Sequence, residues 1–189
     1  VESDIFGELE IPREALFGVN TQRTVQNLSF SGRTLSQYPD YIQTLSLVKR
    51  AAAKANVEAG ILSEEVYNAI SFACTEVSSG IHNGHFPVDM LHGGGGIGVN
   101  MNVNEVVANV ANEYLGGERG KYSPVHPVEH VNASQSTSDV CHTATRMAIL
   151  VSYQSLKRQI DSLIEAIEDK VVEFQEVTTI SRTCLQDGM

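Results

Sequence analysis

The chain is 189 residues long, with 13 Lys+Arg against 23 Asp+Glu for a formal charge of −10, 42% hydrophobic residues and no Trp. Such a length and balance describe a globular protein of one domain, or one and part of a second, with enough chain to bury a core. They argue against a nucleic-acid partner, which needs a lysine and arginine surplus to neutralise phosphate, and no stretch approaches the roughly 20 apolar residues that cross a bilayer.

The first residues, VESDIFGELE, are acidic, where a secretory signal is basic and then apolar. Cys74, Cys141 and Cys184 are an odd number at wide spacings and form no disulfide framework. A cytoplasmic protein with reduced thiols is expected. Residues 1–38 hold turn residues and short apolar stretches without a sustained helical period, which predicts an irregular arm with a short strand or hairpin.

From Pro39 the pattern turns helical. Tyr41, Leu45, Leu47-Val48 and Ala51-Ala52-Ala53 lead to Gly60, predicting a helix over about 40–58 with a glycine stop. Ser63, Glu64-Glu65, then Val66, Ile70, Ala73 and Val77 before Gly80 predict a second helix with an N-cap and an acidic first turn. The segment from His82 to Gly98 carries Pro87 and four glycines, Gly93 to Gly96, and reads as a loop.

Met101, Val103, Val106-Val107, Val110, Tyr114 and Leu115 before Gly116-Gly117 predict a third helix fed by that loop. Between Val128 and Asp187 there is neither Gly nor Pro, and apolar residues from Met147 to Phe174 recur near a seven-residue repeat. One helix of roughly 35 residues follows. Its stripe needs partners of its own length, later in the chain or in other subunits. The pattern divides the chain into an N-terminal, mostly helical domain, 1–133, and the start of a long-helix bundle domain, 134–189. With no stop signal at Met189, we read it as the first part of a longer protein.

Two polar clusters stand where helices begin. Gly93 to Gly96 run into Asn100, Asn102, Asn104 and Glu105, so backbone N–H groups and carboxamides at a helix start suit an anion; equally, the glycines permit a tight turn and the asparagines cap the helix. The second cluster runs from His126 to Asp139, and its hydroxyls in Ser134, Ser136, Thr137 and Ser138 exceed the one cap a terminus requires. His126, His130, Cys141 and His142 match no zinc spacing, so no metal and no cofactor are expected.

Asn100-Met101-Asn102-Val103-Asn104-Glu105-Val106, Val131-Asn132 with Ser134 to Asp139, Arg182 to Asp187, and the opening Phe17 to Arg23 resemble, in order and spacing, motifs of the fumarase/aspartase superfamily. The likeness covers nearly the whole chain. Gln135-Ser136-Thr137 and Val172-Glu173-Phe174-Gln175 are more similar to the aspartate ammonia-lyase branch than to fumarases. The resemblance implies a mainly α fold, an N-terminal helical domain plus the first long helix of the superfamily's bundle. It also implies a homotetramer whose active sites draw on three chains, and a small dicarboxylate substrate.

The implied reaction is proton abstraction beside a carboxylate, a dianionic aci-carboxylate, and expulsion of ammonia to leave fumarate; a fumarase-type hydratase, or a degenerate member serving as a scaffold, are the alternatives. By the same resemblance Ser136 and Thr137 would bind substrate carboxylate oxygens, Thr183 would add a hydroxyl, and Asn100 would shape the glycine-loop side. His126 and Asn132 would belong to a secondary anion site. Departures cluster here: Gly95 and Ile97 stand where relatives have serine and threonine, Ser138 and Val128 where they have asparagine, and Cys184 where they have histidine or glutamine. The family's catalytic base lies on a later mobile loop, so residues 1–189 alone are expected to be inactive.

Overall fold

A computed structural model describes residues 1–91 and 94–188; Gly93, first of the glycine run, lies outside them. The chain forms two compact units, Val1–Ile149 and Leu150–Met189. In the first, β1 (Glu2–Asp4) pairs antiparallel with β2 (Gly7–Leu9), the short hairpin expected of the arm. The arm also holds a helix, α1 (Val19–Leu28), which the sequence pattern does not show. It has no side-chain cap and no acidic residue in its first turn. Its support comes from elsewhere in the chain.

Three helices make the core: α2 (Pro39–Glu58), α3 (Glu64–Ser78) and α4 (Ile97–Tyr114). Proline at the first position of α2 suits a helix start, where no intrahelical N–H is needed. Ser63 caps α3 as its spacing predicts, its hydroxyl accepting from the Val66 N–H at 3.3 Å. Ile42 and Leu45 of α2, Ile70 of α3 and Val103, Val106 and Val107 of α4 are wholly buried, each such side chain contributing about 1.5–3 kcal/mol of apolar burial.

From Gly98 to Asn112 every residue of α4 is buried except Met101, so it is enclosed on all sides. Its polar side chains therefore need partners, and most are structural. Asn109 donates to the Leu16 carbonyl at 2.8 Å. Asn112 exchanges two bonds with the Val125 backbone, each 2.8 Å. Glu105 accepts from the backbone N–H groups of Gly18, Asn20 and Thr21 and from the Asn20 carboxamide, at 2.8–3.1 Å. A carboxylate at the positive end of α1 supplies the missing cap.

Gly18 leaves room for the side chains that crowd this helix start, since a Cβ there would collide with the Tyr122 hydroxyl and the Glu2 carboxylate and press on that of Glu105. After α4 a π-helical turn, Pro127–Val131, leads to α5 (Thr137–Phe174). Val140, Cys141 and Ala144 of its first turns are buried, and the unit division falls beyond them, inside the helix.

The second unit carries the remainder of α5 and a hairpin, β3 (Arg182–Thr183) with β4 (Gln186–Asp187). The repeat expected along α5 is present as a solvent-facing row: Leu156, Ile160, Leu163, Ile167 and Val171 are 44–64% exposed. Among the described residues no helix is long and apolar enough to cross a membrane.

Candidate functional site

The N-termini of α4 and α5 meet in the first unit. Gly96, the N-cap of α4, is left-handed at φ 92°, and a Cβ there would fall 2.7 Å from Cys141 Sγ and 4.0 Å from Thr137 Cγ2. Only glycine fits both the backbone and that contact. Two positive helix ends placed together favour a negative ligand between or before them.

Ser136 is the N-cap of α5, its carbonyl accepting from the Val140 N–H at 3.1 Å. It is exposed, Thr137 half-buried, and Ser138 exposed. Both residues on which carboxylate binding was expected to depend therefore stand at the helix tip and are open to a ligand. Asn100, buried on the first turn of α4, donates to Thr137 Oγ at 3.2 Å and to Asn132 Oδ1 at 3.0 Å. Because Thr137 accepts through its oxygen, its own proton is left available to donate.

Asn132 Oδ1 is a hub, accepting also from Asn104 at 3.3 Å and from Lys49 Nζ at 2.8 Å. Lys49 went unremarked in the sequence, yet it lies on the buried stripe of α2 with Leu45 and Ala53, and that spacing of four is a legible signal. Burial pushes its pKa down to about 7, because desolvation disfavours the ammonium.

Ile97, the first residue of α4, is 58% exposed and its side chain offers no hydrogen-bond donor. It borders a cleft of about 250 Å³ lined also by Asn20, Arg23 and Met101. The Asn102 carboxamide turns away, donating to the His85 carbonyl at 3.0 Å. Asn100, Asn104 and Asn132 thus come together, while Asn102 and Glu105 serve other contacts. A hollow of about 600 Å³ between the arm and the loop after α4 contains none of the expected site residues. The hydroxyl and carboxamide donors lie instead at the helix tips.

His126 and Asn132 bracket the π-helical turn in separate hydrogen-bond sets. His126 Nδ1 accepts from the backbone of Val128 and Glu129, both at 3.2 Å, so only its Nε2 remains for an anion. In the second unit Thr183 and Cys184 are exposed on the hairpin, and Cys184 and Leu185 have φ of 49° and 61°, the left-handed pair of a two-residue turn in which glycine or asparagine is usual. Among the described residues, no three His, Cys, Asp or Glu side chains gather as a metal site requires.

The family model described as Lyase matches residues 7–189. The chain is similar to the aspartate ammonia-lyase of Pseudomonas aeruginosa, 44% identical over 189 residues, covering all of this chain and 40% of the relative. It is similar also to that of Escherichia coli K12, 41% identical over 193 residues, again covering 40% of the relative. Among solved structures, the fumarate lyase:delta crystallin of Brucella melitensis in native form aligns with TM-score 0.91 at 45% identity, over 99% of this chain and 42% of that one. The class II fumarase of Schistosoma mansoni aligns with TM-score 0.86 at 33% identity, over 98% and 39%. The chain thus spans about 40% of the length of the curated relatives it matches. With the family model matched over almost its whole length and the expected mainly α fold present, the chain belongs to the lyase family of the fumarase/aspartase superfamily.

Proposed function

We propose that the longest natural polypeptide carrying these residues is a lyase that eliminates ammonia from aspartate, or a similar amino dicarboxylate, to give fumarate. The observation that carries this reading is the Thr137 hydroxyl at the tip of α5, which accepts from the Asn100 carboxamide and so keeps its own proton to donate, beside the exposed Ser136. A base removes the proton on the carbon next to one carboxylate, and that carboxylate becomes a dianionic aci-acid. Collapse then forms the carbon–carbon double bond as the carbon–nitrogen bond breaks and ammonia leaves. Preorganised hydroxyls and helix N-termini stabilise the charge that develops.

In this reading Ser136 and Thr137 hold the carboxylate, and Asn100 positions Thr137. Thr183 and Cys184, exposed on the hairpin, serve an active site built from several subunits of a cytoplasmic homotetramer. The exposed apolar row of α5 supports that assembly. His126 and Asn132 belong to the secondary anion region. The base comes from a segment outside residues 1–189, and no cofactor takes part.

The test is fumarate formation and ammonia release from aspartate. The 189-residue polypeptide alone should be silent and the longer polypeptide active; silence of the longer, tetrameric protein across a panel of amino dicarboxylates overturns the assignment. The hydratase alternative has the fumarase-like fold in its favour, and hydration of fumarate in the same panel selects it.

A catalytically degenerate scaffold is favoured by one observation, the exposed Ile97 at the start of α4. Ile97→Thr restores a donor there. A severalfold rise in aspartate turnover supports the lyase, whereas no turnover in either form supports the scaffold.

A further inference from the structure

We propose that Lys49 is a positioning residue that sets the direction of a hydrogen-bond relay, Lys49 to Asn132 to Asn100 to Thr137, and so keeps the Thr137 proton pointed at the bound dicarboxylate. The inference rests on the lyase reading and deepens it. Lys49 touches no substrate; it acts through two carboxamides. Its ammonium is wholly buried, with Nζ 2.8 Å from Asn132 Oδ1. An ammonium has only donors, so Asn132 must turn its oxygen towards it.

That choice propagates. With the Asn132 oxygen fixed, Asn100 and Asn104 must both present their N–H groups to it, at 3.0 and 3.3 Å. Their own oxygens are then left buried and without partners, a cost that turning the amides over would only transfer to their N–H groups. The charge-assisted bond from Lys49 at 2.8 Å, together with the bond from Asn132 Nδ2 to the Gln135 carbonyl at 3.2 Å, fixes the Asn132 amide in this sense. In the reversed relay Asn100 Oδ1 would face Thr137 and take its proton, leaving the substrate without that donor. Cys74 of α3 and Cys141 of α5 are the titratable groups that act on Lys49 from its neighbouring helices, and both are buried thiols whose pKa is raised, so neither supplies a competing negative charge near neutrality.

The experiment is a double-mutant cycle on the longest natural polypeptide, read by calorimetric binding of succinate. Lys49→Met and Thr137→Val should each weaken succinate about tenfold, which is about 1.4 kcal/mol, and the double variant should be no weaker than either single within about twofold. Lys49→Arg, which keeps a fixed charge, should retain most of the affinity. Additive losses, or a Lys49→Met protein that binds like the wild type, overturn the relay.

If Lys49→Met does not fold, the wild type and Lys49→Arg decide the matter. Wild-type affinity should fall as pH rises through about 7 and that of Lys49→Arg should not; parallel profiles overturn the proposal. A wild type that binds no dicarboxylate removes the lyase reading together with the relay, whereas normal binding with additive losses removes the relay alone.

Discussion

The carboxamide of Asn100 donates to the hydroxyl oxygen of Thr137 at 3.2 Å, tying the first turn of α4 to the first residue of α5. Replacing Thr137 by Val keeps its shape and removes the donor. In the assay for ammonia release, kcat/KM should fall about 10²–10³-fold while Tm stays near that of the wild type. Thr137→Ser, which retains the hydroxyl, should lose far less.

Lys49 makes stability depend on pH. Its folded pKa of about 7 lies below the ordinary lysine value of 10.5, so between these limits the unfolded chain binds more protons than the folded one. Stability should therefore rise with pH across that window and be flat with respect to this group below it. Urea midpoints measured from pH 7 to 9.5 should climb in the wild type relative to Lys49→Met, in which this rise is absent.

Glu105 holds the start of α1 through three backbone N–H groups. Glu105→Ala leaves these buried donors unsatisfied and should cost about 3 kcal/mol in denaturant unfolding; Glu105→Gln, which keeps one oxygen, should cost less. Amide exchange in Val19–Leu28 should accelerate more than exchange in α3.

Gly96 combines a φ of 92° with a 2.7 Å approach of Cys141 Sγ to the position of a Cβ. Gly96→Ala should destabilise by about 2 kcal/mol or more. Adding Cys141→Ala removes the closer collision and leaves a 3.2 Å approach of its Cβ and the backbone strain, so the double variant should be less destabilised than the sum of the singles. Chemical denaturation of the four proteins measures the difference.

Local chemistry made much of the fold readable. The Ser63 cap, the apolar spacing of α2 and α3 and the unbroken stretch that becomes α5 all act over a few residues, where sequence patterns operate. Helix α1 was hidden because its cap, Glu105, lies 87 residues from Gly18 in the chain, and no local pattern records so distant a contact. The asparagines of α4 were read as one polar cluster, but a helix enclosed on all sides turns them in several directions. Asn100 and Asn104 join Asn132, whereas Asn102, Asn109 and Asn112 bind backbone groups elsewhere. The spacing of Lys49 marks a buried face, yet a lysine beside Arg50 reads most simply as part of a solvated surface. The hydroxyls at the start of α5 were visible as an excess over capping needs; their relation to Asn100 required the fold.

The two kinds of contact made by α4 leave different freedoms to sequence drift. Glu105 grips mainly main-chain groups, which every amino acid other than proline supplies, so the exposed Asn20 can vary in identity while the tether survives. Asn132 and Lys49 meet side chain to side chain, so loss of the Asn132 oxygen strands a buried ammonium, and a lineage that loses it is under pressure to replace the lysine as well.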